Sequence, residues 1–203
     1  MASLFMLRQP AEPTDGVDTD AASITEITDD ALMVRYARGD KRAFEPLYRR
    51  HRLSLFRYFV HGTGDEPTAE ELYQDVWTKL INARGTYRST AKFTTYLYGI
   101  ASNTLTDYYR RRAVRDNSVH KIATPSSSPM LEDELDSARI LGRLSDALQR
   151  LPLEQRSAFL LQRETGFSVA ELADICNTGV ETMKSRLRHA VRKLRMDLRS
   201  DHD

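Results

Sequence analysis

Most of what marks a catalytic, secreted or membrane protein is scarce in these 203 residues. There is one cysteine, Cys176, which excludes an intramolecular disulfide and any multi-cysteine metal site and fits a reducing compartment. No apolar run approaches the length that crosses a bilayer. Leu4, Phe5, Met6 and Leu7 form a short apolar patch, but Arg8 follows it instead of preceding it, the reverse of a secretory signal. The expected location is therefore cytoplasmic. No segment alternates at strand period, and no internal repeat is visible. The chain has no phosphate-binding glycine loop, no metal-ligand cluster and no nucleophile elbow. Its histidines, His51, His61, His120, His189 and His202, are scattered. The expectation is a protein without catalytic site, metal, cofactor or small-molecule substrate, and not an enzyme. The net charge is only +1, so no global excess of one sign points to a polyanionic partner.

The distribution of charge says more. Between Val180 and Arg199 the basic residues are Lys184, Arg186, Arg188, Arg192, Lys193, Arg195 and Arg199, against Glu181 and Asp197, a local excess of five positive charges. The first thirty residues are acidic instead, with Glu12, Asp15, Asp18, Asp20, Glu26, Asp29 and Asp30 against Arg8. Such asymmetry places a nucleic-acid surface at the C-terminal end.

Spacing and punctuation predict an all-α protein of two small helical domains. Residues 1–27, acidic and broken by Pro10, Pro13 and Gly16, read as a disordered tail. Residues 28–112 form the first domain. Its first helix opens at Thr28-Asp29-Asp30 and closes at Gly39; a second runs from Lys41 to about Val60, before a loop at His61-Gly62-Thr63-Gly64. A third opens at a capping box, Thr68 to Glu71, and a long fourth runs from Phe93 to Arg112. Residues 113–138 contain Thr124-Pro-Ser-Ser-Ser-Pro129 and read as a flexible linker. Residues 139–203 form the second domain. A linker of that composition predicts little fixed geometry between the domains.

The strongest local signal lies in residues 168–195. Ser168-Val-Ala-Glu171 is a capping box, and ten residues later Thr178-Gly-Val-Glu181 has the same form. Between them Asn177, comfortable at positive φ, sits where the first helix must stop. Short helix, tight turn and longer helix make a helix-turn-helix. At about 100° per residue, Val180, Met183, Leu187, Ala190, Val191 and Leu194 fall on one side of the second helix. Glu181, Thr182, Ser185, His189 and Arg192 fall opposite, with Arg188 beside them and Lys184 and Arg195 on the flank. Such a helix fits a major groove. Taken alone, a basic amphipathic helix is more often a solvated surface; the paired caps at turn spacing tip the balance towards DNA.

Here the sequence resembles a known family. Leu151-Pro-Leu-Glu-Gln-Arg156, Leu160-Leu161, Gly166-Phe-Ser-Val-Ala-Glu-Leu-Ala173 and Glu181-Thr-Met-Lys-Ser-Arg-Leu187 resemble region 4 of extracytoplasmic-function bacterial sigma factors. Gly39-Asp40, Ala43-Phe44, Leu47-Tyr48, Ala69-Glu-Glu-Leu-Tyr-Gln-Asp75, Phe93, Tyr96-Leu97-Tyr98, Ile100-Ala101, Asn103, Asp107 and Arg110-Arg-Arg112 resemble their region 2. The resemblance implies an alternative sigma factor that binds core RNA polymerase and promoter DNA, both duplex and single-stranded, with an anti-sigma factor as a further partner. Region 4 would read the −35 element through Glu181, Lys184, Ser185, Arg188 and His189, with Arg192 and Lys193 on phosphates. Region 2 would open the −10 element through Tyr87, Arg88, Lys92 and Asn103, and dock on polymerase through Glu71, Gln74 and Asp75. Tyr87 has a second reading as a loop aromatic tucked on the core, and Glu71, Gln74 and Asp75 one as a solvated acidic face. The chain departs from the family at Tyr96, where a tryptophan is usual, at Gly99, often basic, and at Asn177, usually glycine. A stand-alone helix-turn-helix regulator is the competing class; it calls for a ligand or phosphoacceptor domain upstream, which the first block does not offer.

Overall fold

A computed structural model describes residues 27–116 and 142–199. The acidic tail before residue 27, the linker residues 117–141 and residues 200–203 lie outside them. All regular structure among the described residues is helical: α1 (Asp29–Ala37), α2 (Phe44–Thr63), α3 (Glu66–Ala83), α4 (Phe93–Asp116), α5 (residues 142–149), α6 (Leu153–Thr165), α7 (Val169–Ile175) and α8 (Val180–Arg199), with 3-10 turns at Lys41–Ala43 and Arg84–Thr86.

Local chemistry sets the helix ends. Thr28 caps α1, its hydroxyl accepting from the Ala31 N–H at 3.3 Å. Gly39, at φ 104°, ends that helix: the Gly39 N–H reaches Tyr36 O and the Asp40 N–H reaches Arg35 O. Two boundaries differ from the sequence reading. α2 runs through the expected loop to Thr63 and stops at Gly64, φ 72°. Glycine at position 62 permits this, because a Cβ there would lie 3.0 Å from a Leu105 methyl carbon. α3 begins at Glu66, not at Thr68: the Asp65 carboxylate caps it by accepting from the Thr68 N–H at 3.0 Å, with Pro67 in the first turn.

The first domain packs α1 and α2 against α3 and α4, with Met33, Leu47, Tyr58, Phe59, Leu80 and Leu97 fully enclosed. Each such side chain contributes about 1.5–3 kcal/mol by leaving water. The second domain sets α6 and α7 against α8. In this structure the two domains lie against each other. α6 packs on α2, α7 packs on α4, and the buried residues of both domains form one cluster. The reason is a set of complementary groups that no local pattern reveals. The Tyr58 and Ser157 hydroxyls meet at 3.0 Å, and the Tyr98 ring meets the edge of Phe167 at 5.8 Å.

Candidate nucleic-acid interface

α7, the turn and α8 form the helix-turn-helix. Ser168 and Glu171 complete their capping box: the Ser168 Oγ accepts from the Glu171 N–H at 3.3 Å, and the Glu171 carboxylate accepts from the Ser168 N–H at 2.9 Å. α7 closes in a Schellman motif around Asn177 at φ 47°, with the Thr178 N–H donating to Ala173 O and the Asn177 N–H to Asp174 O. Thr178 is thus part of the turn. α8 starts at Val180, so Gly179, not Thr178, precedes it, and the second expected box does not open the helix.

Met183, Leu187, Ala190 and Leu194 are buried, as their angle predicts. Val180 is an exception at 42% exposed, one residue too early to be covered by α7. Glu181, Lys184, Arg188, His189 and Arg192 are exposed and Ser185 is half-buried. Lys184 pairs with Glu181 at 2.7 Å and holds its carboxyl below the usual carboxylate range. Arg192 lies 3.2 Å from the His189 Nδ1. Arg188, Arg192, Arg195 and Arg199 also line a shallow groove of about 550 Å³ beside Gln162 and Leu187, so cations dominate this side. Lys193 is placed differently: its ammonium donates to Arg150 O at 2.8 Å and ties α8 to the turn before α6.

The first domain brings two further groups of candidate residues to its surface. The segment between α3 and α4 exposes Arg88 and Lys92, and Asn103 is exposed on α4. Tyr87 is 8% exposed, packed edge-on against Tyr96 at 5.2 Å, and burial pushes its phenol above the ordinary value. Lys92 reaches across to Glu171 at 2.7 Å. That bond, together with those from Ser168, pulls the Glu171 carboxyl down to about 2, and the carboxylate raises the Lys92 ammonium. On α3, Glu71 and Gln74 are exposed and Asp75 half-buried on one face; Gln74 donates to Glu70 at 3.3 Å and Asp75 pairs with Lys79 at 2.8 Å.

Two residues that matter here were not legible as such. Asp30 reads as a capping residue of α1, but its carboxylate accepts from the Phe93 N–H at 2.5 Å and so anchors the start of α4 beside the loop. Arg156, named above only as the end of the stretch that opens the region 4 resemblance, is 5% exposed and donates to Gly62 O at 2.8 Å and the Tyr109 hydroxyl at 2.6 Å. Only an unpartnered cation at a core angle of α6 hinted at the second. Among the described residues no group of His, Cys, Asp or Glu is placed to hold a metal ion, and no helix is long and apolar enough to cross a membrane.

Comparison with known proteins places this geometry in context. Residues 47–115 match the family model for Sigma-70 region 2, and residues 141–194 that for Sigma-70, region 4. The RNA polymerase sigma-H factor of Pseudomonas aeruginosa is 30% identical over 180 residues, covering 81% of this chain and 90% of that one. The ECF RNA polymerase sigma factor SigL of Mycobacterium tuberculosis is 30% identical over 165 residues, covering 80% and 92%. Among solved structures, CnrH in complex with the cytosolic domain of CnrY superposes with a TM-score of 0.65 at 25% identity, covering 85% of this chain and 98% of that one. RpoE from Bartonella quintana, in complex with the anti-sigma factor NepR, shares the fold with a TM-score of 0.65 at 24% identity, over 78% and 98%.

Proposed function

The chain belongs to the extracytoplasmic-function sigma factors of the sigma-70 family, and from that premise we propose how its residues divide the work of promoter-specific initiation. The protein binds core RNA polymerase and directs it to a promoter; sigma factors are initiation factors, and this one acts in the cytoplasm without chemistry of its own. The observation that carries the reading is α8: a helix fastened by four buried side chains that turns Lys184, Arg188, His189 and Arg192 outward behind a capped turn. Side chains on such a face reach base edges in the major groove, and each good bidentate contact is worth about 1–3 kcal/mol of discrimination. Glu181 and Ser185 complete the −35 reading face, and Arg192 and Lys193 meet phosphates.

The loop before α4 receives the unpaired −10 strand. Arg88 and Lys92 supply cations, Asn103 offers donor and acceptor groups, and Tyr87 supplies a ring for stacking once the loop rearranges. Glu71, Gln74 and Asp75 present an acidic and polar face to polymerase. CnrH and RpoE were captured with CnrY and NepR; this chain is held in the same way by an anti-sigma factor that covers polymerase-binding surface. Run-off transcription tests the core of the reading. Core polymerase alone should be silent at the cognate promoter and active when the chain is added. A chain that binds the promoter duplex yet leaves core polymerase silent would act as a stand-alone regulator instead.

A further inference from the structure

α1 meets the −10 loop, residues 87–92, at both of its ends. At the far end, the Asp30 carboxylate accepts from the Phe93 N–H at 2.5 Å, across 63 residues of chain. At the near end, the Arg84 guanidinium stands over the Tyr36 ring, 5.8 Å from its centroid. α1 packs on the 3-10 turn Arg84–Thr86 as well as on α4. The helix itself is pinned to α2 by Asp29, whose carboxylate lies 2.6 Å from the Arg50 guanidinium and 2.6 Å from the His51 Nε2. The His51 ring in turn meets Phe93 at 5.5 Å. Asp30 and Tyr36 are six residues apart, roughly 9 Å along a helix that rises about 1.5 Å per residue. Arg84 to Phe93 is nine residue steps, at most about 30 Å when extended. Ends held so close force the segment to bow outward, and Arg88, Ser89, Thr90, Ala91 and Lys92 are all exposed. Within the bow, the Thr90 N–H donates to Arg88 O at 2.8 Å.

We propose that α1 is a two-point brace for the loop that receives the −10 strand, with Asp30 and Tyr36 as positioning residues that fix where its cations and its stacking ring stand. The proposal rests on the functional reading of that loop. The first N–H groups of a helix have no partner within it, and a half-buried carboxylate bonded to one of them is a strong, directional anchor. This anchor also stands within electrostatic reach of the loop. Burial and then the Asp30 charge raise the Tyr87 phenol; Glu171 and then, more weakly, the Asp30 charge raise the Lys92 ammonium. With both ends fixed, Tyr87 can leave Tyr96 for a base while Arg88 and Lys92 keep their spacing. With one end released, strand binding must supply the ordering that the brace now supplies in advance. Affinity for the strand then falls in proportion to the fraction of loops still correctly set. α1 does all this without touching DNA.

The test uses the full chain with core polymerase and two probes: a fork promoter carrying a −35 duplex and an unpaired −10 strand, and the same duplex with that strand removed. Asp30→Ala removes the anchor, whereas Asp30→Asn keeps an acceptor oxygen for the Phe93 N–H. Arg84→Met keeps the side-chain stem and removes the cation from the Tyr36 ring. Binding is measured well below each variant's unfolding midpoint, so that loss of fold does not enter. Asp30→Ala should weaken the fork about five- to tenfold, the size of one lost helix cap read as affinity. The probe without the strand should bind unchanged, and Asp30→Asn should bind the fork nearly as wild type does. Arg84→Met should weaken the fork about two- to fivefold. The double variant of Asp30→Ala and Arg84→Met should lose less than the product of the two, because one released end already frees the loop. Asp30→Ala that loses stability yet binds both probes like wild type would make Asp30 a structural residue and overturn the brace. So would as large a loss in Asp30→Asn, or losses that multiply in the double variant. Wild type that binds the two probes equally refutes the −10 role of the loop itself, and the brace then has nothing to position.

Discussion

Tyr87 is the candidate whose placement most changes what a mutation means. Its ring is 8% exposed and stands edge-on to Tyr96, so Tyr87→Ala removes a core aromatic as well as a stacking platform. Truncating a buried aromatic costs about 3–5 kcal/mol. Swinging the intact ring out for a base gives up packing of the same order, and stacking returns only about 1–3 kcal/mol per base. The loop thus needs help from bound polymerase before Tyr87 can serve the −10 strand. The hydroxyl behaves differently. It is buried without a well-formed hydrogen bond among the described residues, and the nearby Ser89 offsets only part of the cost. An unpaired buried hydroxyl costs about 1–3 kcal/mol, so Tyr87→Phe should leave stability unchanged or raise it by about 1 kcal/mol. Urea denaturation of Tyr87→Phe, Tyr87→Ala and Asn103→Ala, read beside permanganate footprints of unpaired promoter thymines, separates the effects. Tyr87→Phe should keep both stability and footprint. Tyr87→Ala should lose both, and exposed Asn103→Ala only the footprint, which a pre-melted −10 bubble should partly restore. A large loss of stability in Tyr87→Phe would show that the hydroxyl has a partner and refute the energetic argument. Normal footprints in both alanine variants would remove the loop from strand opening.

Other consequences are simpler to measure. Arg188→Ala should relax preference at one position of the −35 element by about 1–3 kcal/mol in competition binding, and unchanged preference would mean that the wrong face of α8 has been assigned. Lys193→Ala should lower the salt slope of duplex binding by about 0.9; an unchanged slope would leave its bond to Arg150 as its whole role. Ser168→Ala should cost about 1 kcal/mol of stability, since it removes the cap of α7. The Glu171 carboxyl is depressed from 4.5 to about 2, so its bond to Lys92 contributes fully above about pH 4.5 and is lost as the pH falls from there towards 2. The Lys92 side, raised above 10.5, is lost only as the pH climbs through that raised value. The stability difference between wild type and Lys92→Met should therefore be flat across neutral pH and shrink below about pH 4.5; a difference that grew on acidification would contradict the pairing.

What the sequence made legible was local chemistry. Ser168 with Glu171, Asn177 at positive φ and the buried angle of Met183, Leu187 and Ala190 each depend on residues within one or two turns, and each is present in the structure. Errors at helix starts came from competing local signals. Thr68 and Glu71 carry the pattern of a capping box, yet Asp65 followed by Pro67 is an equally good opening three residues earlier, and it satisfies the backbone first. Thr178 carries the same pattern, but its N–H is already committed to closing α7. A capping signature fixes that a helix begins, not which of two neighbouring oxygens begins it.

Contacts between the domains belong to a different order of information. Arg156 lies in a stretch that reads as an ordinary amphipathic helix, and a guanidinium there is expected in water. Its burial follows from Gly62, whose carbonyl accepts at 2.8 Å, and from Tyr109, whose face lies 4.9 Å from the guanidinium carbon. Those partners are 94 and 47 residues away in the chain. A proline- and serine-rich linker signals only that the connection does not dictate an arrangement; it says nothing of whether the joined surfaces attract. Here they do, through groups that are individually unremarkable in sequence: a glutamine, a threonine-flanked glycine, one arginine and two tyrosines. Removing one partner from such a network leaves buried polar groups unmatched and costs more than the net worth of the pair. Arg156→Met should accordingly destabilise the chain by about 1–3 kcal/mol, and part of that loss should disappear when the domains are already held apart by breaking the 2.9 Å pair of Arg57 with Glu164. Thermal unfolding of Arg156→Met in the Arg57→Glu background measures the difference, and full additivity of the two changes would mean that Arg156 supports its own domain only.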